Sequence, residues 1–389
     1  MASNDPVKCT ALHVGKFYPP HRGGMETYLR DLLMALHERG IRCLALVHRS
    51  PGPEPSEPQS GSGPKVVRVP VWANLLFTPI SPGFPWRLNR LLRDESPAIL
   101  HLHMPNVSVF WALFLPRARR IPWVVHWHAD VPVGALHWGL RWFYRFYRPF
   151  ERWVLNRAAV IVTTSPPYLQ SSPALAPFTQ RGRVVPLGIN EPPPSDKPPV
   201  TPAEPLQLIA VGRLAYYKGF DVLLRALQQC PDVTLDIVGD GERKHELKAL
   251  IEQLQLSERV TLLGNLSEVE LDRRLRASDC LCLPSIERTE AFGVVLLEAM
   301  SRGKACLVTA VTGTGMAWVV EHEQTGLVVP PNDVDALANA LVRLAENRAL
   351  CKAMGEAGLT RFRERFTIDT SAGGIADIYR ELTDGVKNK

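Results

Sequence analysis

A proline-rich segment near the middle of the chain limits most strongly how these 389 residues can fold. Seven prolines lie between Glu191 and Pro205. Proline lacks a backbone N–H and fixes its φ angle, so such a run cannot join a helix interior or a central strand. We therefore predict a semi-rigid linker over 191–205, with one domain over 1–190 and another over 206–368. The length allows two domains, since domains commonly contain about 100–200 residues.

Short β-branched runs alternate with longer helical patterns on both sides of this linker. Such alternation is typical of parallel sheets wound with helices. The predicted fold class is therefore α/β, with two Rossmann-like domains that face each other across a ligand cleft. The predicted strands are 8–14, 42–48, 66–72, 98–103, 122–128, 159–164, 206–212, 233–239, 259–263, 279–283 and 304–309. The predicted helices include 25–39, 219–229, 242–255, 268–277 and 292–302.

The composition is that of a globular protein, with 46% hydrophobic and 22% charged residues. The first residues lack the pattern of a secretory signal, and no stretch reaches the ~20 apolar residues that span a bilayer, so we expect a cytoplasmic location. The seven cysteines are scattered in apolar runs, which indicates reduced thiols in the core. A formal net charge of +6 favours anionic partners, either phosphates or an acidic membrane surface.

Two cations follow the first predicted strand of the second domain. Gly212, Arg213 and Lys218 lie between that strand and the next helix, at the carboxyl edge of the sheet. A glycine that permits close backbone approach, beside two cations, suits a diphosphate. The alternative, two solvated charges on a loop, is equally open on this fragment alone.

Two glutamates frame the start of a later helix. Glu290 lies just before it, and Glu298 lies within it among apolar neighbours, so that we expect the helix to be buried. A buried carboxylate needs hydrogen-bond donors, and two vicinal sugar hydroxyls can supply them. The alternatives are that Glu290 only stabilises the helix dipole and that Glu298 forms a buried ion pair with an arginine.

The first domain carries two weaker signals. Gly23 and Gly24 follow the first predicted strand and open a helix, as in a phosphate loop or an ordinary turn. His128 and Asp130 follow the strand 122–128, at the predicted cleft edge. A structural histidine is the alternative interpretation of His128.

Taken in order, Gly23-Gly24-Met25-Glu26, Gly212-Arg213 with Lys218-Gly219, and Glu290 with Glu298 seven residues beyond it resemble the retaining GT-B glycosyltransferases of family four. The resemblance covers essentially the whole chain. It implies a hexosyltransferase that uses a nucleotide diphosphate-sugar. It also implies a C-terminal helix, over 369–389, that packs back on the first domain.

The resemblance also implies a role for each matching residue. Arg213 and Lys218 would hold the phosphates, Glu298 the ribose and Glu290 the donor hexose, with Gly212 allowing close backbone approach, Gly239 near the base, and the amides of Phe292, Gly293 and Val294 facing sugar and phosphate. Gly23 and Gly24 would close over the diphosphate, and His128 would reach the reacting sugar. Asp130 would orient either the acceptor or the imidazole.

Neither a metal nor a cofactor is expected. Asp333-Val-Asp335 has the spacing of a metal-binding Asp-x-Asp motif, but it precedes a helical pattern and is typical of an N-cap. Arg213 and Lys218 already supply the positive charge that Mg²⁺ would bring to a diphosphate.

The segment 137–153 interleaves aromatic and basic residues. Arg141, Arg145, Arg148 and Arg152 lie on one helical face, beside a row of aromatic residues. This composition suits anionic lipid head groups or a polyprenyl-linked pyrophosphate, although a solvated basic helix is as consistent. Pro149 predicts a division into two short helices. No nucleic-acid module surrounds the segment, so nucleic acid is not an expected partner.

The predicted function is transfer of a hexose to a polyprenyl-diphosphate-linked or other glycan acceptor, in cell-surface polysaccharide synthesis. Phrases such as His-Trp-His-Ala-Asp resemble bacterial exopolysaccharide and O-antigen transferases, several of which use GDP-mannose. GDP-mannose is therefore the expected donor, with a UDP-sugar open, and we expect the protein at the inner face of the cytoplasmic membrane. The alternatives are a nucleotide-sugar epimerase and an inactive membrane-associated binding module. A dehydrogenase is disfavoured because no Gly-x-Gly-x-x-Gly follows the first strand.

Overall fold

A computed structural model describes residues 9–21, 23–49, 63–75, 78–131, 138–194 and 205–387, with the backbone alone for 138–141, 143, 386 and 387. The predicted linker lies outside these ranges over 195–204. The chain divides into two compact units, one of 1–190 with 368–389 and one of 191–367.

The first unit contains a seven-stranded parallel sheet and a separate antiparallel hairpin. Its strands are β1 (Thr10–Val14), β2 (Arg42–His48), β3 (Lys65–Val69), β4 (Ala73–Leu75), β5 (Thr78–Ile80), β6 (Ile99–Met104), β7 (Trp123–Trp127), β8 (Val160–Thr163) and β9 (Gly182–Val184). The sheet order is β3-β2-β1-β6-β7-β8-β9, and β4 pairs with β5. Its helices are α1 (Gly24–Glu38), α2 (Phe84–Asp94), α3 (Trp138–Arg157) and α4 (Pro166–Ser171). Every residue of β6 and β7 is buried, because helices cover both faces of a wound parallel sheet.

The second unit contains a six-stranded parallel sheet. Its strands are β10 (Leu206–Val211), β11 (Val233–Val238), β12 (Val260–Gly264), β13 (Cys280–Leu283), β14 (Ala305–Thr309) and β15 (Gly326–Val329), in the order β12-β11-β10-β13-β14-β15. Its helices are α5 (Phe220–Gln228), α6 (Lys244–Gln253), α7 (Glu268–Ala277), α8 (Val294–Met300), α9 (Met316–Val319), α10 (Val334–Glu346) and α11 (Arg348–Arg365).

Both sheets reverse their strand order beside their first strand. The reversal lies between β1 and β6 in the first unit and between β10 and β13 in the second. Loops that leave the carboxyl ends of such a strand pair turn to opposite sides of the sheet and leave a crevice between them, where ligands bind in wound α/β sheets. This topology therefore marks one candidate site in each unit.

The C-terminal helix α12 (Ile368–Lys387) belongs to the first unit. It packs on α1, where the hydroxyls of Tyr28 and Ser371 lie 2.9 Å apart. Ile375, Ile378 and Tyr379 of α12 are buried, in keeping with its single apolar face.

The predicted α/β class with two Rossmann-like, parallel-sheet domains is confirmed, and the predicted strands agree with the observed ones to within about three residues at each end. All seven cysteines are free and buried, as expected. Asp333 caps α10 through a 2.8 Å bond that its carboxylate accepts from the Ala336 amide. The prediction of two short helices around Pro149 is wrong, because α3 continues from Trp138 to Arg157 with Pro149 inside it.

Candidate active site

In the second unit, the loops after β10 and β13 bring Lys218 and Glu290 together. Lys218 ends a short 3₁₀ turn (Tyr216–Lys218) between β10 and α5. Its Nζ atom lies 2.5 Å from Oε2 of Glu290, and their side chains are only 9% and 15% exposed. A charge-assisted pair this short, shielded from water, holds both groups firmly in place. The two residues therefore form one ion pair where the strand order of the sheet reverses, between β10 and β13.

A glycine lies directly beneath the ammonium group. Gly212 has a φ angle of +154°, and a Cβ atom at this position would lie 2.7 Å from Lys218 Nζ. Gly239, which follows β11 with a φ of +136°, lies so close to the Gly212 carbonyl that a side chain at 239 would collide with it. Gly212 needs to be glycine because the Lys218 side chain approaches its backbone, and Gly239 because the Gly212 carbonyl does.

Glu298 adds a second carboxylate. It lies half-buried on α8, whose preceding residue Gly293 has a φ of +80° and acts as the N-cap. Burial raises the pKa of Glu298, against the attraction of Arg302 and Lys218. The alternative, an ion pair with an arginine, is not formed among the described residues, since Arg302 Nη1 donates instead to the Glu298 carbonyl at 2.7 Å and its Nε to Asp272.

The α8 helix is less completely buried than the sequence suggested. Leu296, Leu297, Ala299 and Met300 are buried, but Val294 and Val295 are partly exposed beside Glu298. Phe292, ahead of the helix, is buried. A carboxylate on a partly open helix face can be reached by a ligand.

The electrostatic balance of this site centres on one cation. Burial lowers the pKa of Lys218, but attraction to Glu290 and Glu298 and the hydrogen bond to Glu290 outweigh it and raise the pKa overall. Lys218 therefore stays protonated, paired with Glu290 and attracted by Glu298. Such a set can bind phosphate oxygens at the ammonium and hydroxyl groups at the carboxylates.

Arg213 does not join this group. Its guanidinium is half-exposed and lies 3.1 Å from the Glu242 carboxylate. An exposed pair of this kind contributes little energy, so Arg213 can exchange its partner for a ligand at small cost.

In the first unit, a pocket lies at the switch point between β1 and β6. Lys16, Glu26, His103 and His128 are among its lining residues. Burial lowers the pKa of Lys16, and the Glu26 charge partly offsets that shift. Gly23 and Gly24 stand at the start of α1, with the Glu26 carboxylate folded back against Gly23. Of the predicted residues, His128 lines this pocket, whereas Gly23 and Gly24 lie at the start of the helix whose Glu26 lines it.

His128 belongs to a buried histidine cluster that the sequence interpretation missed. His13 on β1, His101 and His103 on β6, and His126 and His128 at the end of β7 all lie inside the first unit. The rings of His126 and His128 are stacked, with centroids 4.3 Å apart and planes 7° apart. The available signal was the spacing of two in His101-Leu-His103 and His126-Trp-His128, which puts both histidines of each strand on one face of the sheet.

Asp130 does not orient the His128 imidazole. Its Oδ1 accepts bonds from Trp127 Nε1 at 3.0 Å and Ser172 Oγ at 2.6 Å. His128 Nε2 faces His103 at 2.9 Å instead. Asp130 therefore holds the chain after β7 against α4.

The aromatic-basic helix α3 presents both kinds of side chain to solvent. Arg145, Arg148 and Arg152 are exposed, and the side chain of Arg141 lies outside the described residues. Six aromatic residues on α3 and on the preceding 3₁₀ segment Val107–Phe114 are 37–64% exposed: Trp111, Phe114, Trp142, Phe146, Phe150 and Trp153. Large apolar side chains seldom cluster on a surface that contacts only water.

Comparison with known proteins decides the family. The Glycosyl transferase 4-like domain matches residues 23–188, and Glycosyl transferases group 1 matches residues 194–361. The D-rhamnosyltransferase WbpZ of Pseudomonas aeruginosa is 30% identical over 369 residues, 92% of each chain. The chain belongs to the GT-B glycosyltransferases of family 4. It is accordingly a hexosyltransferase.

Other relatives of this glycosyltransferase span the same length. The O-antigen chain mannosyltransferase C of Escherichia coli is 28% identical over 380 residues, which cover 96% of this chain and 98% of that one. Sucrose-phosphate synthase of Thermosynechococcus elongatus has the same fold, with a TM-score of 0.80, 24% identity, and coverage of 97% and 100%. The HepE protein of Anabaena, solved with UDP, superimposes with a TM-score of 0.74 at 21% identity, covering 96% and 100%.

Within the described part of the glycosyltransferase, no helix combines the length and the apolar character that crossing a membrane requires.

The histidine cluster predicts acid sensitivity confined to the first unit. Burial lowers the pKa of His128 to about 4 and that of His13 to about 3, from 6.5. Below pH 6.5 the unfolded histidines bind protons that the folded ones exclude, so stability falls as pH drops from 6.5 towards 4. His128 alone accounts for about 3 kcal/mol of that loss.

Hydrogen–deuterium exchange of the full chain at pH 7.5 and pH 5, corrected for intrinsic rates, measures this effect. Peptides from β1, β6 and β7 should lose protection at pH 5. The second unit is the internal control, since His245 and His322 are exposed. Equal loss of protection in both units would contradict the expectation.

Proposed function

We propose that this enzyme is a retaining glycosyltransferase that transfers a manno-configured hexose from a nucleotide diphosphate-sugar to a lipid-linked glycan in cell-surface polysaccharide synthesis. The observation that carries the proposal is the Lys218 ammonium, 2.5 Å from Glu290 and within electrostatic reach of Glu298. A cation beside two carboxylates is complementary to a nucleotide diphosphate-sugar, in which an anionic diphosphate joins a ribose and a hexose that both carry hydroxyl groups.

Catalysis in this proposal depends on the leaving group. Lys218, helped by Arg213, neutralises the diphosphate as the bond between the anomeric carbon and its oxygen breaks. The acceptor hydroxyl attacks from the same face, and the departing phosphate oxygen takes its proton. Glu290 positions the hexose and Glu298 the ribose, so no protein nucleophile is needed. The role proposed for His128 is contact with the sugar, as the family resemblance implies.

The donor sugar is proposed from the relatives. Two full-length relatives are named for mannose and D-rhamnose, at 28% and 30% identity. D-Rhamnose is 6-deoxymannose, so both sugars have the same axial 2-hydroxyl. GDP-mannose is therefore the first donor to test, with UDP-sugars as the comparison because HepE was solved with UDP.

Removal of the central cation should abolish donor use. We expect Lys218→Met to lower kcat/KM by about 10²–10³-fold, the usual loss when a preorganised charge at the leaving group is removed. Lys244→Met is the matched control, because Lys244 is exposed on the same unit and has only a 3.6 Å contact with Asp240. Transfer by Lys218→Met at the control rate would contradict the proposed role.

Glu290→Ala should separate binding from turnover. We expect nucleoside diphosphate affinity within about threefold of wild type, because Lys218 remains, and kcat lowered by about 10²-fold because the hexose is no longer positioned. A panel of radiolabelled nucleotide-sugars with bacterial membranes as acceptor measures transfer. Product analysis with donor alone tests the epimerase alternative, since an epimerase would convert the sugar without an acceptor.

The exposed surface of α3 supports the membrane partner. Arg145, Arg148 and Arg152 together with the exposed aromatic side chains are the composition of a helix that rests on anionic head groups. The enzyme would bind a lipid-linked acceptor near the same surface. We therefore place α3 against the inner face of the cytoplasmic membrane.

Vesicle binding tests this surface. Changing Arg145, Arg148 and Arg152 together to glutamine should weaken sedimentation with phosphatidylglycerol vesicles by about 10²-fold, at about 1 kcal/mol per arginine. Changing Arg90, Arg93 and Arg343 to glutamine removes the same charge from exposed sites elsewhere and should leave binding unchanged. Equal loss in both triple variants would mean that net charge, rather than α3, governs association.

A further inference from the structure

The pocket histidine of the first unit begins a row of hydrogen-bonded imidazoles. His128 Nε2 lies 2.9 Å from His103 Nδ1, and His103 Nε2 lies 3.1 Å from His13 Nδ1. The His103 and His128 ring centroids are 5.2 Å apart with planes at 11°, so these rings meet edge to edge in nearly one plane. Both ring nitrogens of His103 are therefore used by its neighbours.

A tyrosine of the C-terminal helix α12 connects this row of histidines to a second pair of histidines. The Tyr379 hydroxyl lies 3.0 Å from His13 Nε2 and 2.6 Å from His101 Nδ1. His101 Nε2 then faces His126 Nδ1 at 3.3 Å. Five histidines and one tyrosine thus form a single unbranched chain, which we call the imidazole chain.

The imidazole chain has one proton more than it has bonds. Five neutral imidazoles bring one N–H each and the tyrosine brings one O–H, which makes six protons for the five bonds. The two end atoms, His128 Nδ1 and His126 Nε2, have no hydrogen-bond partner among the described residues. The extra proton therefore sits on one end, and the other end is a bare lone pair.

The pocket decides between the two ends. Both end atoms are buried, but His128 is among the residues that line the pocket, where a ligand can supply an acceptor, and His126 is not. A buried N–H without an acceptor is rarer and more costly than a carbonyl or imidazole lone pair left unfilled. The bare lone pair therefore belongs at His126 and the proton at His128 Nδ1. Followed from bond to bond, this polarity puts all five histidines in the Nδ1–H form.

We propose that the imidazole chain holds His128 as an Nδ1–H donor towards the pocket, and that Tyr379 is the positioning residue that links His128 to His101 and His126. The proposal rests on the sugar-contacting role of His128 given above. In that role the N–H donates to an oxygen of the sugar, and the histidine does not act as a base. The C-terminal helix α12 would then help to position a functional side chain at the end of β7.

A bound metal ion is the competing interpretation of these histidines. Nitrogens of His13, His101 and His103, and those of His103, His126 and His128, lie within 4.8 Å of one another. Metal ligation needs lone pairs that converge on one point. Here the nitrogens face one another in pairs at hydrogen-bond distance, so the geometry favours the proton arrangement.

Tyr379→Phe in the full-length protein is the direct test, with Tyr28→Phe as its matched control. Tyr28 is also buried, also bonds to α12 through Ser371, and contacts the His126 ring, but lies outside the imidazole chain. Long-range ¹H–¹⁵N spectra of the imidazole nitrogens report each tautomer directly. Single His→Asn variants assign the His128 and His103 signals.

We expect Nδ1–H at His128 in the wild type and in Tyr28→Phe, and a mixture of tautomers at His128 in Tyr379→Phe. We also expect kcat to fall about 10-fold in Tyr379→Phe, a loss typical when a group that orients a functional histidine is removed, with the donor KM changed less. An Nε2–H signal at wild-type His128, the same spectrum in both tyrosine variants, or stoichiometric metal whose removal shifts the His128 signal would overturn the proposal. If no donor is turned over, the proposed function fails while the spectra still test the imidazole chain.

Discussion

The direction of the strands is the constraint on which both units depend. When all strands of a sheet run in parallel, their carboxyl ends meet at one edge, and a reversal of strand order separates the two loops that leave the central pair. In the second unit that pair is β10 and β13, whose loops carry Lys218 and Glu290. In the first unit it is β1 and β6, beside which the His128 pocket lies. The chemistry is therefore located by topology before any side chain is considered.

The two units handle buried polar groups in opposite ways. In the second, the buried Lys218 ammonium keeps its charge because it pairs with Glu290 and is attracted by Glu298, and loss of one member of the pair would leave the other uncompensated. In the first, no carboxylate pairs with the histidine cluster among the described residues; burial keeps the imidazoles neutral, and they satisfy one another instead. The ion pair of the second unit suits an anionic ligand, whereas the hydrogen bonds among the imidazoles of the first unit fix which of their nitrogens carry protons.

Sequence reasoning failed where distant parts of the chain decide the outcome. Proline normally interrupts a helix, yet α3 continues through Pro149, where Phe150 packs against Phe110 of a separate segment with ring centroids 5.5 Å apart. The role of Asp130 could not be assigned because Ser172, its partner, lies 42 positions away. Neither contact has a local signature, since both depend on how the elements pack.

The sequence alone determined the α/β class, eleven of the fifteen described strands, the cap at Asp333 and the family, because these follow from local periodicity and from motifs in a fixed order. It also named Lys218, Glu290 and Glu298 as candidates. Only the tertiary structure decided that Lys218 and Glu290 meet, that Arg213 turns to Glu242, and that five histidines on three strands form one chain with Tyr379. The reason is that hydrogen bonds and ion pairs act over a few ångströms in space, whereas these partners are separated by up to 366 positions in sequence.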